Sequence, residues 1–370
     1  MRITLSTEIP DSIGPQWNAL LDRMERPEVF YTHEWALAVS RAYQSSIKPL
    51  LFLAHDQDDL IGLVALATDR SRAQTFFLCS TTADYCDFIS SENCRAEFVV
   101  AVLSELNRLQ LPTLVIANLP ADSATARILS PAASISGRFA FSRPAYNCAR
   151  IHLGSPGRRQ AALSNTSAQK PIRYSLRRLE KQGLLAAEHI TSWEQIQEAL
   201  PGFIDAHIAR FKSTDRQSNL TDPARQVFLR ELAYLLSPKG QIVLSRLLCG
   251  GRPIAWNYGF QFRGSWFYYQ PTFDAEWRQF SPGICLLAKI VEAACDDPSI
   301  KLLDLGLGAE EYKQRFSTGA RQTLHATVTR SARHRLRVAT RYHLASAIKS
   351  SAYLNHWVRR LLHRPDSISA

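Results

Sequence analysis

Two short segments of this 370-residue chain combine the residue types that group-transfer reactions need. The first is Arg278-Gln279-Phe280-Ser281-Pro282-Gly283, placed where a strand pattern gives way to a helix. A helix start presents unpaired backbone N–H groups and the positive end of its dipole, a setting for a phosphate. Small residues at 281 and 283 permit close approach of a ligand, and Arg278 adds a charge-assisted partner. The second segment, Asp304-Leu305-Gly306-Leu307-Gly308-Ala309-Glu310-Glu311-Tyr312-Lys313, ends a strand at a carboxylate and bends at two glycines. Asp304 or Glu310 could then act as base, Tyr312 as proton donor to a leaving group and Lys313 as stabilising cation. The glycines are not a dinucleotide fingerprint, because the third is missing.

Further candidates lie on neighbouring elements. His207 and Arg210 stand one turn apart in a helical pattern over 203–211, positioned to reach an acceptor or to form a polar helix face. The aromatic strand Trp266-Phe267-Tyr268-Tyr269-Gln270 predicts, by alternation, Trp266, Tyr268 and Gln270 on one face and Phe267 and Tyr269 on the other. One face is core; the other, with Trp256 and Asn257 on the preceding strand, is available to line an acceptor pocket. Gln279 and Tyr269 complete the expected cofactor set with Arg278, Ser281 and Gly283. The seven cysteines include no Cys-x-x-Cys pair, and no His-x-x-x-His spacing stands out, so no metal site is expected.

The elements that must hold these residues form a repeated order. In the first half, strands are expected at 50–54, 60–67 and 75–79, then a helix over 92–110 and a strand at 113–117. In the second, strands are expected at 241–248, 254–262 and 265–270, a helix over 282–294 and a strand at 300–305. Helices precede each meander, at 32–43 in one half and at 193–211 and 222–236 in the other. Both halves therefore read as an α+β layer in which a helix covers a mixed, mostly antiparallel sheet. The expected division is 1–150, a connecting segment 151–185 that passes into a basic helix capped by Gly183, 186–325, and a basic amphipathic tail over 326–370. The first half has the acidic stretch Ala83-Asp84-Tyr85-Cys86-Asp87-Phe88 where a phosphate would sit, so only the second half is expected to bind one.

Charge is unevenly placed. Ten Lys/Arg and one Asp fall between Arg321 and Ala370, so this segment carries +9 of the net +11 and the remaining chain only +2. A nearly neutral body counts against nucleic acid as the partner, whereas the tail reads as an electrostatic arm. Between 331 and 364, arginines interleave with Leu336, Leu344, Leu354 and Trp357, a pattern suited to an anionic membrane surface or to packing on the body. No transmembrane span or secretory signal is visible, and the odd cysteine count fits reduced thiols, so the expected setting is cytoplasmic with inner-membrane association through the tail.

Ser175-Leu176-Arg177-Arg178-Leu179-Glu180-Lys181-Gln182-Gly183, Gly251-Arg252-Pro253-Ile254-Ala255, Phe280-Ser281-Pro282-Gly283 and the 304–313 segment together resemble the bacterial GNAT acetyltransferases of the cellulose-biosynthesis (CelD-like) type, related to the FemAB-like aminoacyltransferases. The likeness is best over 173–316; the first half matches loosely, through Phe30-Tyr31-Thr32-His33-Glu34-Trp35. It implies two tandem GNAT-like halves and transfer of an acetyl or longer acyl group from acyl-CoA, often to an exopolysaccharide or envelope precursor, with no metal. By this analogy Arg278, Ser281 and Gly283 hold the pyrophosphate, and Asp304, Glu310, Tyr312 and Lys313 line the reaction centre. Ser281 replaces the glycine usual in such loops. The alternatives are a FemAB-like ligase that takes its aminoacyl group from tRNA, and a non-catalytic module of an envelope-polymer assembly.

Overall fold

A computed structural model describes residues 1–69, 71, 73–308 and 310–350. The first half runs β1 (Arg2–Ser6), α1 (Gly14–Asp22), α2 (His33–Ala42), β2 (Ile47–Asp56), β3 (Asp59–Asp69), β4 (Thr75–Phe77), β5 (Ile89–Ser90), α3 (Glu92–Arg108), β6 (Leu114–Pro120), α4 (Ala124–Ile135) and β7 (Phe139–His152). The second runs α5 (Pro156–Ala168), α6 (Lys170–Glu180), β8 (Leu185–Ile190), α7 (Trp193–Lys212), α8 (Pro223–Leu236), β9 (Ile242–Cys249), β10 (Arg252–Phe262), β11 (Ser265–Phe273), α9 (Pro282–Asp296), β12 (Leu302–Asp304), α10 (Glu311–Phe316), β13 (Gly319–Thr329) and α11 (Ala332–Ser350). The expected order of three strands, a helix and a strand recurs in both halves, with the two-residue β5 inserted between β4 and α3 in the first.

The halves are joined through their last strands. One sheet runs in the order β1-β2-β3-β4-β6-β13-β7-β12-β11-β10-β9-β8, with β5 paired to β3. The strand that ends the first half, β7, lies against β12 of the second, Arg150 opposite Asp304. The strand that ends the second half, β13, lies against β6 of the first. The boundary expected at residue 150 thus falls within β7. The two cores follow the sheet. One is shared by both halves: Phe30 and Trp35 pack with Phe228, Phe260 and Tyr269, with ring centroids 4.8–5.7 Å apart for Trp35. The other lies beneath α5, α6 and α9.

Three local expectations are corrected. The polar segment after 155, which shows no apolar stripe, nevertheless forms α5: Ser155 Oγ accepts from the Arg158 N–H, Pro156 occupies the first turn, and only Ala162 and Thr166 are buried. Gly183 is not a left-handed helix cap, since it is absent from the positive-φ residues. It is needed because a Cβ there would lie 2.9 Å from the Gly250 amide nitrogen. Strict alternation in β11 also fails, because a bulge opposite Tyr258–Phe260 inserts one residue between Phe267 and Gln270. The described part of α11 packs on β7 and β13, with Tyr342 on Phe141. Residues 351–370, with Leu354, Trp357, Arg359, Arg360 and Arg364 of the expected arm, lie outside the described residues.

Arg159 of α5 closes the C-terminal end of α9. Its guanidinium donates to the carbonyls of Ala294, Cys295, Asp297, Pro298 and Ile300 at 2.5–3.2 Å. Ala294 and Cys295 are orphan acceptors at the negative dipole end of that helix, and the other three carbonyls belong to the turn beyond it. Arg159→Ala is therefore expected to lower stability by about 2 kcal/mol, read from the urea midpoint at unchanged slope.

Candidate active site

β11 and β12 pair in parallel only between Ser265–Phe267 and Leu302–Asp304. Beyond Phe267, β11 continues to Phe273 without that neighbour, while the chain after Asp304 turns away at Gly306 (φ +71°) and Gly308 (φ +113°). The gap between the diverging segments opens into two cavities. The smaller, of about 270 Å³, is lined by Tyr268, Thr272, Phe273, Arg278, Ser281 and Gly283. The larger, of about 740 Å³, is lined by Asp84, His207, Arg225, Tyr269, Gln270 and Glu310 among others. Arg210, Pro271 and Tyr312 line both, so the cavities meet there.

The smaller cavity lies at the start of α9. Ser281 precedes the helix with φ 52° and ψ 47°, and its side chain makes no capping bond. A Cβ on Gly283 would approach Phe273 to 3.3 Å. Thr272 Oγ1 is buried there and has no partner among the described residues. Gln279 is exposed on the loop, where its carbonyl accepts from Arg178 of the Arg-Arg-Leu-Glu segment at 3.0 Å. Tyr269 faces the other cavity: it donates to the Thr82 carbonyl and accepts from Arg225 at 2.6 Å. The left-handed backbone at 281 costs a non-glycine residue about 1–2 kcal/mol. Ser281→Gly is expected to gain roughly 0.5–1 kcal/mol after glycine's larger unfolded-state entropy is counted, seen as a higher melting temperature.

Of the expected catalytic four, two line the cavities and two stand behind them. Tyr312 accepts a hydrogen bond from Tyr268, and burial together with Glu310 raises its phenol pKa, keeping it protonated at neutral pH. Glu310 lies at the rim of the larger cavity, paired with Lys313 at 3.0 Å. Lys313 also donates to the Leu307 carbonyl at 2.7 Å, which clamps the glycine turn from within the protein. Asp304 is fully buried; it accepts from the Tyr85 hydroxyl at 2.8 Å, Arg150 Nε at 2.8 Å and the Gly306 N–H at 2.9 Å. Its oxygens hold the seam between β7, β12 and the glycine turn.

Of the acceptor-side candidates, His207, Arg210 and Gln270 line the larger cavity, whereas Trp256 and Asn257 lie in the packed sheet away from it. The β11 bulge turns Gln270 toward α7, where its Nε2 donates to His207 Nε2 at 3.2 Å and Asn219 Oδ1 at 3.1 Å. Burial, Arg210 and Arg225 push the His207 pKa down to about 4, so the ring is neutral, and its Nδ1 pairs with Ser218 Oγ at 2.8 Å.

The residue whose chemistry the sequence reading missed is Asp84, from the first half. It lines the larger cavity beside the glycine turn: a Cβ on Gly306 would sit 2.7 Å from its Oδ2. Burial, and then the charge of Asp304, raise its pKa to about 7, against the lowering pull of Lys313, the Leu307 N–H and Arg225. A buried carboxyl poised near neutrality in a cleft is suited to general-base work. The acidic Ala83–Phe88 stretch was the available signal, but its meaning depends on the two halves facing each other. Among the described residues, no cluster of His, Cys, Asp or Glu is arranged to hold a metal.

Residues 166–314, which include the wall shared by both cavities, match the family model described as an acetyltransferase (GNAT) domain. Among solved structures, FemX aligns with a TM-score of 0.60 at 9% identity, over 88% of this chain and 97% of that one. The C-terminal domain of a candidate lysylphosphatidylglycerol synthetase from Agrobacterium fabrum gives 0.55 at 12%, over 91% and 96%. A tandem GNAT protein from the clavulanic acid biosynthesis pathway gives 0.49 at 12%, over 88% and 98%. The first two show a shared fold along nearly the whole chain. No curated protein sequence matches. Among the described residues, no helix is long and apolar enough to cross a membrane.

Proposed function

We propose that this protein is an acyltransferase that moves an acetyl or longer acyl group from acyl-CoA to an amine or hydroxyl of a small molecule or envelope-saccharide precursor. The observation that carries this reading is the meeting of two cavities at Tyr312, one beside the start of α9 and one holding Asp84. The α9 amides and Arg278 would hold the donor's pyrophosphate. The unpartnered Thr272 Oγ1 gives the same cavity a buried polar atom suited to a ligand. Asp84, rather than Asp304 or the Lys313-paired Glu310, removes the acceptor's proton, directly or through water. As the new C–N or C–O bond forms and the thioester C–S bond breaks, Tyr312 protonates the departing thiolate. Calorimetry of the full chain with acetyl-CoA and longer acyl-CoAs tests this; a folded protein that binds none of them removes the reading.

The arginines of α6, with Arg173 and Arg177 exposed and Arg178 bonded to the 278–283 loop, favour a second donor, an aminoacyl-tRNA, because phosphate contacts dominate such binding. A gel shift with charged tRNA at physiological salt separates the two. Contact of the 331–364 segment with an anionic membrane is a separate proposal, tested by co-sedimentation of the full chain with vesicles with and without anionic lipid.

A further inference from the structure

We infer that the acceptor carries an anionic group, a phosphate or a carboxylate, held in the larger cavity by Arg225 and Arg216. This deepens the acyl-transfer reading and rests on it. Arg210, Arg216 and Arg225 all line that cavity, and among the described residues none takes part in an ion pair. Since the body of the chain is nearly neutral, three unpaired guanidiniums in one cleft are a local feature rather than a consequence of general basicity.

Arg225 is the clearest of the three. It is only 7% exposed, and its partners are neutral: the Tyr269 hydroxyl at 2.6 Å, the Thr81 carbonyl at 3.4 Å and Tyr43. Its Nε is buried and has no partner among the described residues. Arg225 and Asp84 feel each other's charge without touching, and a buried guanidinium whose hydrogen bonds go only to neutral groups is costly unless an anion joins it directly. The carboxylates of the cavity do not serve: Asp84 makes no ion pair with it, and Glu310 is taken by Lys313. Arg216 stands exposed at the opening, over the Phe211 ring at 5.1 Å, with only the Thr214 hydroxyl near its Nε.

A second orphan lies in the same cavity. Gln270 is 7% exposed, both hydrogens of its Nε2 are committed to His207 and Asn219, and its Oε1 has no donor among the described residues. An N–H or O–H of the acceptor would satisfy it. The cavity thus asks for one molecule with a donor and an anion, as in a phosphorylated amino sugar or an amino acid.

The test is calorimetric titration of the full chain, saturated with acetyl-CoA so that donor-side cations are occupied. The probes are matched pairs: glucosamine 6-phosphate against glucosamine, O-phosphoethanolamine against ethanolamine, and glutamate against glutamine, with inorganic phosphate alone as a further probe. The charged member of at least one pair is expected to bind about 30-fold more tightly than its neutral partner, and inorganic phosphate to compete with it. Arg216→Ala should reduce that preference about tenfold with acetyl-CoA affinity unchanged. Arg225→Gln should abolish it; if that variant does not fold, the exposed Arg216 decides. Equal binding within every pair, binding of none, or a preference untouched by Arg216→Ala overturns the inference. Failure of acetyl-CoA and of every longer acyl-CoA to bind removes the acyl-transfer reading instead, and the phosphate titration then still reports on the anion site.

Discussion

Asp84→Asn is expected to lower kcat/KM for acyl transfer by about 10²–10⁴-fold, the range that a positioned general base supplies. Only the ionised carboxylate accepts a proton, and its pKa is raised to about 7. The wild-type rate should therefore climb as pH passes through about 7 and level off above it, and the variant should lose that limb. The same shift has an opposite signature in stability. The folded state holds this proton more tightly than the unfolded chain, whose Asp titrates near 4. The group's stabilising contribution is thus complete below about pH 4 and fades as pH rises through about 7. Asn carries no charge to bury, so the variant should be more stable than wild type at pH 8, by up to roughly 4 kcal/mol for a shift of about three units, and barely different at pH 4. Less activity with more stability at alkaline pH is what a group held for function predicts. A variant with an intact rate limb near pH 7 would give the base role to another residue.

Asp304→Ala is expected to cost about 3–5 kcal/mol of stability, because it leaves Arg150 unpaired inside the seam. It also takes the acceptor away from the Tyr85 hydroxyl and the Gly306 N–H, which loosens the turn beside Asp84. Urea midpoints measure the loss. The conservative Asp304→Asn keeps the shape, and its kinetics separate a positioning role from a catalytic one. Asp304's negative charge is among the causes that raise the Asp84 pKa. With that charge gone, the rate limb should move to lower pH while persisting in the folded variant. If Asp304 were itself the base, the limb would vanish in Asp304→Asn and remain in Asp84→Asn.

These two carboxylates show where sequence reasoning reaches its limit. The Asp304 segment was conspicuous because its glycines, carboxylates, tyrosine and lysine lie within ten residues. Nearness in sequence does not distinguish side chains that face a cavity from those that fasten the loop around it. Tyr312 and Glu310 line the cleft, whereas Asp304 and Lys313 are turned inward and fully engaged. Gln270 was picked from alternation, and reached the cleft only because a bulge broke that alternation. Trp256 and Asn257 obeyed alternation and were left in the sheet. Polar α5 was missed because a helix covering another helix needs only a narrow buried stripe, here Ala162 and Thr166.

Local pattern alone determined the recurring strand, helix and strand order and the helix start at 282, since periodicity and turn residues act over a few neighbours. The tertiary structure decided the exchange of β7 and β13, the approach of Asp84 to a turn more than 200 residues away and the gathering in one cleft of three arginines that form no ion pair among the described residues. Those features come from pairing and burial between distant segments, and no short window of residues encodes them.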